Sequence, residues 1–234
     1  MKAMILAAGR GERLRPLTDH TPKPLVCVHG QPLIVYHLKA LRAAGIRHIV
    51  INVAHLGAQI EQTLGDGRTW DCQIQWSRET IALETAGGIA QARPLLGETP
   101  FVLINADVFT DLDYTQLVDA ARALHHTSLL GHLVLVPNPS FHPQGDFSLR
   151  GSTVGNLSST DTHTAADHSS YTYAGLAALS LQLFDGITAG SRAALAPRLR
   201  AAAAQRQLLG SVHTGLWDDV GTLERLHALN GTSP

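Results

Sequence analysis

Four short runs, three apolar and one alternating, separated by segments of helical period, constrain this chain more than any other feature. KAMILA (2–7), HIVINVA (48–54), CQIQWS (72–77) and FVLIN (101–105) read as strands, the second of them through its β-branched residues. Between the first two, Leu33, Ile34, His37, Leu38 and Leu41 fall at helical spacing and Gly45 closes the run. Further helices are expected around 57–64, over a short stretch near 87–93, and from about Asp113 to Leu124. Strands alternating with helices of ordinary length predict an α/β protein. The expected form is a Rossmann-like three-layer sandwich with a mostly parallel, mixed central sheet.

The second half is less regular. Strands are expected at 129–139, 146–150, 171–180 and in two short pieces around 210–220. LAPRLRAAAAQ (195–205) reads as a helix with Pro197 in its first turn, and TLERLHAL (222–229) as a closing helix capped by Thr222. Residues 151–170, rich in Ser, Thr, Asp and Gly, read as hairpins or a mobile loop. No repeat or linker divides the chain, so residues 1–234 are read as one domain with halves 1–125 and 126–234.

Apolar residues make up 44% of the 234, enough for a substantial core. Charged residues are 16% and the net charge is −1, which leaves no electrostatic case for nucleic acid or an anionic membrane. Cys27 and Cys72 are far apart without a CxxC pattern and read as idle thiols of a reducing compartment. The thirteen histidines show no metal-ligand spacing, and His125 and His126 would point to different sides of a helix. The apolar part of MKAMILAAG is too short for a signal peptide and no apolar run approaches bilayer length, so a cytoplasmic location is expected.

The chemistry is concentrated in loops. LAAGRGERLRPLT (6–18), followed by PKPL (22–25), puts Gly9, Gly11, Arg13 and Lys23 behind the first strand. A dinucleotide fingerprint needs glycine where Leu14 stands, and the GK[ST] of a P-loop is absent. The ingredients of a phosphate site remain: glycines that let backbone N–H groups approach an anion, and cations for its oxygens. A lone GxG leaves a phosphate cradle and a solvated loop equally open. Asp107 stands just past the end of a buried strand, the edge where open α/β sheets collect ligands, or else it caps a turn. Asp218-Asp219 in LWDDVGT is a carboxylate pair before a glycine turn. Asp107 and Asp219 are the hard oxygen donors a magnesium ion takes, if they meet in space.

LAAGRGERLRPLT with PKPL, LETAGGI (83–89), NAD (105–107) and WDDVGT (217–222) together resemble the motifs of the sugar-1-phosphate nucleotidyltransferase family, in the family's order. ALETAGGI, LGDG (64–67) and GLWDDVGTLERL look like the members that transfer a uridylyl group from UTP to N-acetylmuramate 1-phosphate in bacterial peptidoglycan recycling. The EKP segment that many glucose-1-phosphate members use at the sugar site is missing.

The resemblance implies in-line attack of the sugar phosphate on the α-phosphorus of a nucleoside triphosphate, with loss of pyrophosphate and with Mg²⁺ as cofactor. It implies that Gly9 and Gly11 line the triphosphate, that Arg13 holds the β- and γ-phosphates, and that Lys23 bridges the α-phosphate and the sugar phosphate. Asp107 and Asp219 would hold Mg²⁺. Ala8, Glu84, Ala86 and Gly87 would contact base and ribose, with Asn105 near the ribose or the metal. Gly145 would contact the sugar, with Tyr173 and Gly175 at the floor of its pocket, and Arg150 is a candidate partner for the lactyl carboxylate. The implied halves are nucleotide-binding (1–125) and sugar-binding (126–234), in a monomer or homodimer.

The alternative within the family is mannose-1-phosphate guanylyltransferase. A non-catalytic nucleotide-sugar-binding module is disfavoured by the presence of Arg13, Lys23, Asp107 and Asp219 together. An NAD(P)-binding oxidoreductase is disfavoured by Leu14 and by Asn52 where an acidic residue is needed.

Overall fold

A computed structural model of the protein describes residues 1–157 and 170–231. The strands in chain order are β1 (Lys2–Leu6), β2 (Cys27–Val28), β3 (Gln31–Pro32), β4 (His48–Val53), β5 (Gln73–Arg78), β6 (Phe101–Asn105), β7 (Phe109–Thr110) and β8 (Gly131–Val136), then β9 (Phe147–Arg150), β10 (Thr153–Asn156), β11 (Ser170–Leu179), β12 (Leu208–Val212) and β13 (Trp217–Asp218). The helices are α1 (Leu33–Ala43), α2 (Gly57–Leu64), α3 (Glu84–Leu96), α4 (Thr115–Leu124), α5 (Leu195–Ala204) and α6 (Leu223–Leu229).

Among the described residues, nine strands form one sheet in the order β5-β4-β1-β6-β11-β8-β12-β10-β9. β5, β4, β1 and β6 pair in parallel, as do β8 and β12. β11 runs against both β6 and β8, and β10 runs against both β12 and β9. The parallel run comes from the β-branched strands of the first half. Burial is nearly continuous along β1, β4 and β6, and successive side chains alternate between the two faces of the sheet.

Ala3, Ile5, Ile49, Ile51, Val102 and Ile104 pack with α1, α2 and α4 on one face. Met4, Val50, Phe101 and Leu103 pack with α3 and α5 on the other. Leu117, Val118, Ala121 and Leu124 supply the buried stripe of α4, each larger side chain contributing about 1.5–3 kcal/mol by its burial. Helices on both faces of a mixed sheet give the expected three layers. Among the described residues no helix is long and apolar enough to cross a membrane.

Three local readings change. The helix expected at 87–93 runs from Glu84 to Leu96, so the ETAGG segment is its first turn rather than a loop. Its two glycines answer close contacts instead of a turn. A Cβ on Gly87 would lie 2.3 Å from the Ser191 carbonyl oxygen, and one on Gly88 would lie 2.6 Å from Glu79 Oε1. Second, α4 ends at Leu124, so His125 and His126 fall beyond it, with His126 at φ 64° and the two rings edge to face. Third, the polar stretch 151–170 contributes β10 and the first residue of β11, while 158–169 lie outside the described residues. Thr222 caps α6 as expected, its hydroxyl accepting the Arg225 N–H.

The chain leaves β1 toward β4 and β5, then crosses back to β6 on the other side of β1. Such a reversal opens a crevice at the carboxyl ends of the two central strands. The ends of β1 and β6 carry Ala7-Ala8-Gly9 and Ala106-Asp107, which places the two sequence motifs at one edge.

Candidate active site

Two joined cavities occupy that edge. The first, about 230 Å³, lies between the Ala8-Gly9 segment, Lys23, Asp107 and the start of α3. The second, about 480 Å³, lies between the start of α3, Asp146, Tyr173 and α5. Glu84, Thr85 and Asn105 line both and form the wall between them.

The first cavity is held open by a buried polar chain. The Ala7 N–H donates to Asn52 Oδ1 at 2.9 Å, Asn52 Nδ2 donates to Glu79 Oε1 at 2.7 Å, and Glu79 Oε2 accepts the Leu83 N–H at 2.9 Å. Every member is bonded, so the chain ties the phosphate-side loop to the start of α3 without an orphaned group. The Ala86 and Gly87 N–H groups both donate to the Ala193 carbonyl, at 2.9 and 3.0 Å. Those are the exposed amides of a helix N-terminus, and the second half of the chain caps them.

Lys23 sits on a 3₁₀ turn between Pro22 and Pro24, with only 11% of its side chain exposed. Its Nζ donates to Asp107 Oδ2 at 2.5 Å and to the Asp219 carbonyl at 3.2 Å. Asp107 follows β6, where the Ala106 N–H donates to the Leu6 carbonyl. His37 and Tyr114 lie beneath it, His37 Nδ1 and the Tyr114 hydroxyl 2.7 Å apart. Burial lowers the His37 pKa to about 4, opposed by the Ala106 and Val108 carbonyls, so the ring there is neutral.

Asp219 arrives from far along the chain through the β7–β13 ribbon, in which Trp217 pairs Thr110 and Asp218 pairs Phe109. The Trp217 indole donates to the Ala174 carbonyl at 2.9 Å. Val220 is a β-branched residue at φ 37°, held there by burial and by Asp218 Oδ1 accepting its N–H at 2.6 Å. Burial raises the Asp218 pKa.

Around Asp219 the cations crowd. Arg225 Nη1 lies 2.6 Å from Asp219 Oδ1 and Arg13 Nη2 lies 3.7 Å from Oδ2. Asp219 Oδ1 and Arg225 Nη1 are both buried, yet neither makes an aligned hydrogen bond among the described residues. A buried carboxylate oxygen without an aligned donor is what a hard cation coordinates. With Asp107 across Lys23, the donor set fits a magnesium site of one or two protein carboxylates.

Of the sequence-named residues, Ala8, Gly9, Lys23, Glu84, Asn105 and Asp107 line the first cavity, and Tyr173 joins Glu84 and Asn105 in the second. Gly11, at φ 70°, packs on Lys23, while Arg13 stands at the solvent edge beside Asp219. Ala86 and Gly87 lie behind the wall, their amides spent on Ala193. Gly175, at φ 76° in the β11 irregularity, makes room for the Asn105 side chain, because a Cβ would lie 2.7 Å from Asn105 Nδ2. Gly145 is buried against Asn138 and Tyr171 beside the second cavity.

The buried Tyr173 hydroxyl has no hydrogen-bond partner among the described residues, and burial raises its pKa. Asp146 Oδ2 accepts the Tyr173 N–H at 2.8 Å. Arg150 lies elsewhere, on a groove with Thr153, Asn156 and Arg206. Among the described residues, the cation lining the second cavity is Arg200. Glu79, Asp146, Arg200 and Arg225 were not legible as site residues. Of these, Glu79 lies just ahead of LETAGGI, Asp146 follows Gly145, and Arg225 falls within GLWDDVGTLERL, while Arg200 belongs to no motif.

The family model for nucleotidyl transferases matches residues 2–141. The N-acetylmuramate alpha-1-phosphate uridylyltransferase of Neisseria meningitidis serogroup B is 52% identical over 229 residues, 97% of this chain and 95% of that protein. A mannose-1-phosphate guanylyltransferase of Mycobacterium tuberculosis is 35% identical over 137 residues, 58% of this chain and 38% of that one. A Bacillus anthracis chain solved with a sucrose shares the fold, with a TM-score of 0.83 at 20% identity, over 99% of this chain and 94% of that one.

Proposed function

The chain belongs to the nucleotidyl transferase family, and we propose that it transfers the uridylyl group of UTP to N-acetylmuramate 1-phosphate, releasing pyrophosphate. What carries the reading is the 52% identity to an enzyme of that name, which runs through both cavities rather than the first alone. By contrast, the likeness to the guanylyltransferase covers 58% of the chain. The proposed setting is cytoplasmic peptidoglycan recycling.

UTP occupies the first cavity, with its base against Ala8 and Glu84 and its phosphates along Gly9 and Gly11. Ala86 and Gly87 act from behind, fixing the turn that presents Glu84. Residues 1–125 thus serve mainly the nucleotide and 126–234 mainly the sugar. Lys23 neutralises the α-phosphate and holds the incoming sugar phosphate in line with it. Arg13 follows the β- and γ-phosphates as they leave. Asp107 and Asp219 hold Mg²⁺, which when bound neutralises charge that develops on the phosphate oxygens. The reaction needs positioning and charge more than a protein nucleophile. Asn105, propped against Gly175, aligns the ribose at the wall between cavities.

The sugar enters the second cavity, where the unpartnered Tyr173 hydroxyl and Asp146 meet its hydroxyl or acetamido groups beside Gly145. The lactyl carboxylate of N-acetylmuramate calls for a cation, and Arg200 supplies it. Arg200→Ala is expected to raise KM for N-acetylmuramate 1-phosphate about tenfold, a charge-assisted bond being worth roughly 1.5–3 kcal/mol. KM for UTP should stay within about twofold. Steady-state pyrophosphate release with each substrate varied in turn reads both. Equal changes in the two constants, or none, would remove Arg200 from the sugar site.

A further inference from the structure

We infer that Arg225 is an internal counter-ion that competes with the divalent cation for Asp219. The inference rests on the proposed metal role of Asp219. Arg225 lies in the first turn of α6, with 17% of its side chain exposed. It reaches back past Gly221, where a Cβ would lie 2.0 Å from its Nη2 and 3.0 Å from that of Arg13. Only a glycine lets two guanidinium groups approach one carboxylate here. The opposite face of Arg225 rests on the Phe141 ring, 4.0 Å from its centroid. Asp218 Oδ1 lies 3.9 Å from its Nε.

The contact with Asp219 is close but poorly aligned, leaving a buried carboxylate oxygen and a buried guanidinium nitrogen both without an aligned hydrogen bond among the described residues. Such a pair gains its Coulomb attraction and forgoes the directional part of the bond. A metal ion coordinating the same oxygen takes its place at small loss. Arg225 keeps its other supports, Phe141 and Asp218, when that happens. In the absence of metal it cancels the Asp219 charge beside Asp218, while Lys23 pairs Asp107. Arg225 is therefore a positioning residue: it sets how readily the site accepts a cation.

The test is Mn²⁺ binding to the full chain without nucleotide, read as the loss of the free-ion electron paramagnetic resonance signal. Arg225→Gln is expected to bind Mn²⁺ about tenfold more tightly than the parent chain, because the competing charge is gone. Arg225→Lys, which keeps the charge, should stay within about threefold of the parent. Asp219→Asn in the Arg225→Gln background should abolish the gain. Arg225→Gln binding with equal or weaker affinity would overturn the inference, and a purely structural arginine would lower the melting temperature without tightening Mn²⁺. Mn²⁺ affinity indifferent to Asp219→Asn in both backgrounds would overturn the metal assignment itself, and the inference with it.

Discussion

Lys23→Met should lower kcat by roughly 10²–10³ with the fold retained, the loss typical of removing one preorganised donor from developing charge. Among the described residues Lys23 is the only cation lining the first cavity, and it is nearly buried where the ends of β1 and β6 meet. A cation so placed is little screened by solvent, which strengthens its hold on a phosphate oxygen. Its removal also strips Asp107 of its partner, so two carboxylates face the substrate phosphates with less compensation. Both effects weigh on the transition state more than on UTP binding, so kcat should fall further than KM for UTP rises. Lys23→Arg tests geometry: it keeps the charge, but the planar fork does not fit between Asp107 Oδ2 and the Asp219 carbonyl. Pyrophosphate release gives the rate and circular dichroism follows the melting. A kcat within about fivefold of the parent in Lys23→Met would remove this residue from the chemistry.

Asp107→Asn and Asp219→Asn are each expected to cost roughly 10²-fold or more in kcat/KM, and the double variant little beyond either single one. Groups that act as a unit are non-additive, because losing one ligand already spoils the site. Neither carboxylate belongs to the apolar core, and the β7–β13 ribbon that aligns them is held by backbone pairs and by Trp217. The melting temperature should therefore change by only a few degrees. Near-parent rates in both single variants would contradict the metal assignment. Fully multiplicative losses would mean that the two aspartates serve separate steps.

The first half of the fold was legible because its order is local. Short apolar runs announced β1 and β6, a β-branched run announced β4, and helical spacing announced α1 with nearly the right ends. Helix α3 was read short because its opening turn, ETAGG, carries the two glycines of a loop. Those glycines answer contacts with Ser191 and with the Asn52–Glu79 pair, which lie elsewhere in the sequence. The same reason hid part of the site. Lys23, Asp107 and Asp219 each carry a motif, but that they meet depends on a two-residue ribbon joining segments about a hundred residues apart. Arg225 sits within an ordinary amphipathic helix sequence, and only the tight turn at Val220-Gly221 brings it to Asp219. Arg200 lies in α5, a helix that carries none of the motifs. Arg150, which the sequence offered instead, ends a strand facing another groove.

The central claim is that the two joined cavities pair a uridine nucleotide with a carboxylate-bearing sugar phosphate. It is tested most directly by pyrophosphate release from a small matrix: UTP, dTTP and GTP, each against N-acetylmuramate, N-acetylglucosamine, glucose and mannose 1-phosphates, with Mg²⁺. The account predicts that UTP with N-acetylmuramate 1-phosphate exceeds every other pair by at least about tenfold in kcat/KM, the worth of one well-placed charged contact. Turnover of mannose 1-phosphate with GTP, and none of N-acetylmuramate 1-phosphate with UTP, would contradict it.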